Sequence, residues 1–186
     1  MIIAQQKRHE NIAEYLLYMW QVEDIIRACR LDIDEVDRRV ISQYRIDEEM
    51  RRQTRDWYEG LIMMMKAEQV QEKGHLQICK NVLIRLNDLH VQLLKSTKYP
   101  EYGAEFYRTL PYIVEIRAKS PSREHQPGEL EASFIALYGL LMLRLQNKEV
   151  TTATDNALQQ ISKFIALLAS YFRKLEAGEL DESINN

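Results

Sequence analysis

Residues 11–29 read NIAEYLLYMWQVEDIIRAC, and the spacing of their apolar side chains predicts an α-helix. At about 100° per residue, one face carries Ile12, Tyr15, Leu16, Met19, Val22, Ile26 and Cys29, and its flanks carry Leu17, Tyr18, Trp20 and Ile25. A helix with so broad an apolar surface is packed on two sides. We therefore expect a central helix from about Ala4 to Cys29 in an all-α protein.

The same three- and four-residue spacing continues through the rest of the 186-residue chain, and no segment alternates as a strand does. We predict a helical bundle of six to seven helices in a single domain, residues 1–178, followed by a flexible tail, residues 179–186. Asp32 or Asp34 caps a short second helix that ends near Ile41. Pro100 opens a helix that Pro111 breaks or kinks, giving two short pieces up to about Ala118.

The C-terminal part of the chain predicts an exposed loop and two further helices. The loop covers residues 119–126, which are polar and flanked by proline. Pro127 opens a helix to about Gln146. The last helix follows a capping box formed by Thr152 and Asp155 and runs to about Ala177, where Gly178 ends it.

Gly74 leaves two structures open for the middle of the chain. Lys73 and Gly74 form a helix stop, which predicts a hairpin. The apolar stripe resumes in phase beyond Gly74, however, and a hairpin has no need to keep phase. We therefore expect one long, kinked helix from about Ile46 to Lys95.

Composition and charge exclude several classes of function. The formal net charge is −3, so no global field draws the chain to nucleic acid or an anionic membrane. Apolar stretches are too short to span a bilayer, and no secretory signal or lipidation motif is present. No glycine-rich nucleotide motif occurs. Cys29 and Cys79 lie in apolar helical patterns, which predicts two buried, reduced thiols in a cytoplasmic protein.

Glu68, Glu72 and His75 form the one pattern with metal-ligand spacing. On a helix that continues through Gly74, the three side chains share the apolar face, where a carboxylate is costly unless it is paired or metal-bound. Glu-x-x-His on an inward face is the unit of di-iron helical bundles, but the chain contains only half of that motif. The alternative is that the helix ends at Gly74 and the acids lie near an exposed helix end or a subunit rim.

Glu23 falls within the apolar arc of the first helix. One interpretation is a buried acid with a raised pKa that acts as a base or ligand. The other is an ion pair with Arg27 at the edge of the core. His90 lies on the core face of its own helix, and we expect a hydrogen-bonded core histidine rather than a ligand.

Aromatic residues cluster in the proline-containing segment, at Tyr99, Tyr102, Phe106, Tyr107 and Tyr112. These rings could line a ligand groove or form a subunit contact. We expect instead that they cover the core beside the proline-containing segment.

The string from Asn11 to Arg27 resembles the opening of an uncharacterised family of bacterial proteins, mostly from Bacteroidetes, that is classed as a domain of unknown function. The resemblance implies a helical fold and brings no activity, cofactor or catalytic residue. It directs attention to Glu14, Trp20, Gln21, Glu23 and Asp24 as candidate site positions.

These observations predict a non-enzymatic helical interaction or scaffold protein. The broad apolar surface of the first helix suggests a homodimer, because one bundle would leave part of that surface uncovered. The alternative is a metal-dependent or small-ligand-binding helical-bundle enzyme that uses Glu68, Glu72, His75 and Glu23. Neither cofactor nor partner protein can be named from the sequence.

Overall fold

The computed structural model describes residues 2–119 and 127–180 and confirms the all-α prediction. Within those two ranges it contains eight α-helices, one short 3-10 helix at Ile41–Gln43 and no β-strand. The α-helices are α1 (Ile2–Glu10), α2 (Ile12–Ala28), α3 (Ile33–Arg39), α4 (Glu48–Ala67), α5 (Gln77–Lys95), α6 (Pro100–Lys119), α7 (Glu129–Leu145) and α8 (Thr152–Glu176). None of the helices in the described ranges has the length and hydropathy needed to cross a membrane.

Contacts between Cα atoms divide the chain into two compact units. The N-terminal unit comprises residues 1–10 and 14–82, and the C-terminal unit comprises residues 11–13 and 83–186. In the N-terminal unit α3 packs against α4, and in the C-terminal unit α6, α7 and α8 pack against one another. The single domain predicted for residues 1–178 stays a prediction.

The predicted first helix is two helices, because Asn11 interrupts it. The side-chain oxygen of Asn11 accepts a hydrogen bond from the backbone N–H of Ala13 at 3.0 Å, as an N-cap residue does. The apolar face predicted for the second of these helices is confirmed, since Ile12, Tyr15, Leu16, Met19, Val22 and Ile26 are all buried. Its flanks are covered in part, since Trp20 is only 3% exposed and Leu17, Tyr18 and Ile25 are half-buried.

The predicted long helix from Ile46 to Lys95 is wrong, because α4 ends at Ala67 and α5 begins at Gln77. The stop is a Schellman motif centred on Gln69, which has a φ of 57°. The N–H of Val70 donates to the carbonyl of Met65 at 3.0 Å, and the N–H of Gln69 donates to that of Lys66 at 3.3 Å. The apolar residues keep the same helical phase before and after the connection. Matching phase therefore did not show that the helix is continuous.

Pro111 does not divide α6, which runs unbroken from Pro100 to Lys119. The prediction of two short pieces is therefore wrong. Proline has no backbone N–H, so the carbonyl of Tyr107 lacks its usual partner one turn along the helix. Pro111 is exposed, and water can serve that carbonyl instead.

The ends of the last two helices lie close to their predicted positions. Gly128 precedes α7, and Thr151 rather than Thr152 caps α8, accepting from the N–H of Thr154 at 3.3 Å. Gly178 follows α8 with a φ of 69°. Of the predicted exposed loop, residues 120–126 lie outside the described residues, as do residues 181–186 of the predicted tail.

Candidate functional site

The side chain of Glu23, on α2, is completely buried in the N-terminal unit. Its Oε2 atom lies 2.6 Å from Nδ1 of His75, and its Oε1 atom accepts from the backbone N–H of Leu76 at 2.9 Å. The thiol of Cys79 also donates to Oε1 at 3.4 Å. These partners meet the requirement that a buried carboxylate be hydrogen-bonded.

The connection between α4 and α5 brings His75 to Glu23. After the Schellman motif, Gly74 turns the chain with a φ of 86°, a conformation that glycine adopts without steric cost. The carboxylate of Glu68 accepts from the N–H of Gln77 at 2.6 Å, as that of Glu23 accepts from Leu76. Two acids from α2 and the end of α4 therefore bind the first N–H groups of α5, where negative charge is favourable.

His75 lies between Glu23 and Trp20. Its ring stacks on the indole of Trp20, with centroids 4.2 Å apart and an angle of 12° between the planes. The side chain is 34% exposed, so it combines a buried partner with access to solvent. A neutral imidazole that donates from Nδ1 to Glu23 carries its lone pair on Nε2. Such a pair can serve as a base or as one ligand of a metal ion.

The cysteines are free and buried, as predicted. Burial raises the pKa of the Cys79 thiol, and the neighbouring carboxylate of Glu23 raises it further. Burial also raises the pKa of Cys29. Both groups are therefore protonated at neutral pH and are poor nucleophiles.

The other predicted metal ligands do not join His75 in a cluster. Glu68 binds the start of α5, and Glu72 is exposed in the connection. Among residues 2–119 and 127–180, no group of three or more His, Cys, Asp or Glu side chains is arranged to hold a metal ion. The metal site at Glu68, Glu72 and His75 stays a prediction.

The remaining candidates on α2 lie at the surface or in local pairs. Glu14 is exposed and pairs with Lys7 at 2.9 Å. The expected ion pair between Glu23 and Arg27 is replaced by one between Asp24 and Arg27, also at 2.9 Å. The guanidinium of Arg27 also donates to the carbonyls of Val70 and Gly74, and the carboxylate of Glu23 contacts His75.

His90 is a core residue of the C-terminal unit, as predicted. Its Nδ1 atom lies 2.6 Å from the hydroxyl of Tyr102, and the rings of Phe106 and Phe164 pack edge-on against it. Burial lowers the pKa of His90 to about 4, so the imidazole is neutral at physiological pH.

The aromatic cluster is divided between the core and the surface. Tyr102 and Phe106 are buried, which confirms the expected cover for the core, whereas Tyr107 is 66% exposed. Tyr112 lines a groove of about 540 Å³ formed by α6, α7 and α8. The apolar residues of this groove include Tyr112, Ile116, Leu140, Leu143, Ala157 and Leu158. The groove could not be predicted from the sequence, because a gap in packing between three helices depends on how they are arranged.

An exposed apolar ridge on α6 adjoins this groove. Tyr107, Pro111 and Val114 follow one another at i, i+4 and i+7 and therefore share a face of the helix. All three are exposed, Val114 by 52%. Pro111 and Val114 are next in sequence to Tyr112 and Glu115, which line the groove. We call the ridge and the groove together the α6 surface.

The fold and these two sites define an all-α protein with a carboxylate–histidine pair in one unit and an open apolar surface in the other. The chain belongs to the family described as Domain of unknown function (DUF4924), whose model matches residues 1–179. No curated protein and no solved structure matches it.

Proposed function

We propose that this protein is a non-enzymatic helical interaction protein that acts as a homodimer through the α6 surface. The observation that carries the proposal is the position of an apolar ridge and an apolar groove side by side on one helix. Exposed apolar area of this kind marks interaction sites in soluble proteins. The first helix, from which the sequence suggested a dimer, is a weaker basis for it, because Leu17, Tyr18 and Ile25 are half-buried and less exposed than the ridge on α6.

A second copy is the partner that this surface fits. A homodimer with a two-fold axis brings the same patch of each subunit together, so the ridge of one copy can pack against the ridge of the other, with the two grooves beside the contact. A helix that docks on another protein surface presents apolar anchors at i, i+4 and i+7, which is the spacing of Tyr107, Pro111 and Val114.

The proposal is tested by measuring the mass of the full chain by sedimentation between about 1 and 100 μM, a range that brackets micromolar affinity. We expect a dimer in the wild type and a weaker one for Val114→Lys. Ile84→Lys is the matched control, because Ile84 on α5 is 54% exposed and Val114 is 52% exposed. A monomer throughout the range, or equal effects of the two variants, would refute the proposal.

A second candidate function is supported by the pair of Glu23 and His75. The carboxylate of Glu23 holds the imidazole of His75 in one orientation. Carboxylates hydrogen-bonded to catalytic or metal-binding histidines act in the same way. The test is elemental analysis of the purified, tag-free protein beside His75→Ala, which removes the one imidazole of the pair. Stoichiometric zinc, iron or manganese that is lost in the variant would support the metal-dependent alternative, and a metal-free protein would refute it.

The same proposal includes a cytoplasmic location and a Bacteroidetes source. The location is supported by the two buried free thiols, which persist in a reducing compartment. The source rests on the resemblance of residues 11–27 alone. The proposal assigns no nucleic acid as partner, since the acidic and basic residues nearly balance.

A further inference from the structure

The charged residues beside the ridge on α6 have an order that is complementary to itself. Glu105 and Arg108 precede Pro111, and Glu115 and Lys119 follow it. Within the chain Arg108 pairs with Glu105 at 3.0 Å and Glu115 pairs with Lys119 at 2.6 Å. The side chains of Arg108 and Glu115 are nevertheless 68% and 60% exposed, so each has room for a second partner.

A two-fold axis at Pro111 would place these charges opposite one another. In an antiparallel pair of α6 helices, residues at similar distances before and after the axis face each other. Arg108 then faces Glu115 of the second copy, and Tyr107 faces its Val114. On that flank Arg108 of each copy is opposite Glu115 of the other, and the apolar ridges meet beside these pairs.

We infer that the homodimer forms by antiparallel pairing of α6 with α6 of a second copy about an axis at Pro111. This inference rests on the proposed function and names the interface by which it operates. The ridges supply the apolar contact, and the pairs of Arg108 with Glu115 set the register and direction. Parallel pairing would instead bring this flank of α6 against the opposite flank of the second copy and would lose both pairs.

Charge exchange across the axis tests this pairing. By symmetry, Arg108→Glu or Glu115→Arg disrupts two pairs in each dimer, and we expect each variant to dimerise about tenfold more weakly. The double variant restores opposite charges between the copies and should regain most of the wild-type affinity. Within one chain the same double variant places like charges at 105 and 108 and at 115 and 119. Recovery therefore reports contact between copies and cannot come from local helix stability.

A cysteine on the axis gives an independent readout. Pro111→Cys places the thiols of the two copies next to each other, and mild oxidation should give a covalent dimer. Lys80→Cys, an exposed position in the N-terminal unit, is the control and should not cross-link efficiently. The native cysteines are buried and contribute little background.

The possible outcomes separate this inference from the proposed function. A wild-type dimer whose Pro111→Cys variant does not cross-link, or whose charge variants show no recovery when combined, overturns the α6 pairing and leaves the homodimer in place. A chain that remains monomeric removes both.

Discussion

The buried imidazole of His90 makes the stability of the protein depend on pH. Burial lowers its pKa from the ordinary 6.5 to about 4 in the folded chain. Above pH 6.5 the imidazole is neutral in both the folded and the unfolded state, and its titration has no effect on stability. Between pH 6.5 and 4 the unfolded chain binds a proton that the folded chain does not, so the free energy of unfolding falls as the pH falls.

The size of this loss follows from the two pKa values. At about 1.36 kcal/mol for each pH unit, the interval from 6.5 to about 4 corresponds to a loss of about 3 kcal/mol. That is a large part of the stability of an ordinary domain, which is about 5 to 15 kcal/mol. The loss is complete near pH 4, where the folded chain is also protonated.

The assay compares the wild type with His90→Asn, which keeps a polar side chain near Tyr102 but does not titrate. Urea unfolding followed by circular dichroism gives the free energy of unfolding of each protein from pH 8 to pH 4. The carboxylates titrate equally in both, so the difference between the two curves isolates His90. We expect the wild type to lose its advantage over the variant progressively below pH 6.5. Two parallel curves would show that His90 is not held neutral by burial.

Two further predictions concern the N-terminal unit, and urea unfolding measures both. Glu23→Gln should lower the free energy of unfolding by about 2 kcal/mol, because hydrogen bonds to a buried carboxylate lose their charge. The control Glu14→Gln, at an exposed ion pair, should lower it by less than about 0.5 kcal/mol. Equal losses in the two variants would contradict the role given to Glu23. Gln69→Gly should raise stability by about 1 kcal/mol by relieving a positive φ, while Gln53→Gly inside α4 should lower it by a similar amount. If both glycine variants are destabilised, the conformation assigned to Gln69 is wrong.

The sequence predicted those helix ends that are marked by a residue with a strong preference for that position. Gly178 ends the last helix as expected, since glycine adopts a positive φ without cost. The end of α4 was missed because Gln69 adopts that conformation without being glycine, and the strongest local stop signal, Gly74, lies five residues later. When a residue other than glycine adopts a left-handed backbone conformation, its residue type does not reveal it.

The candidate site was predictable on one side only. The helical projection placed Glu23 in the apolar arc of α2, and the structure buries it there. Its partner could not be found in the same way, because His75 lies 52 residues further along and reaches Glu23 only through the connection after α4. The groove was missed for a related reason, since a gap in packing between three helices is a property of their arrangement and not of any one segment.

The carboxylates at the start of α5 bear on the order in which the chain folds. The N–H groups of Leu76 and Gln77 are bound by Glu23 and Glu68, which lie 53 and 9 residues away from them along the chain. An isolated α5 segment would therefore have a frayed beginning, and its first turn becomes protected against amide hydrogen exchange only once α2 and the end of α4 are in place. The exchange rate of the Leu76 amide thus reports the assembly of the N-terminal unit rather than the formation of a single helix.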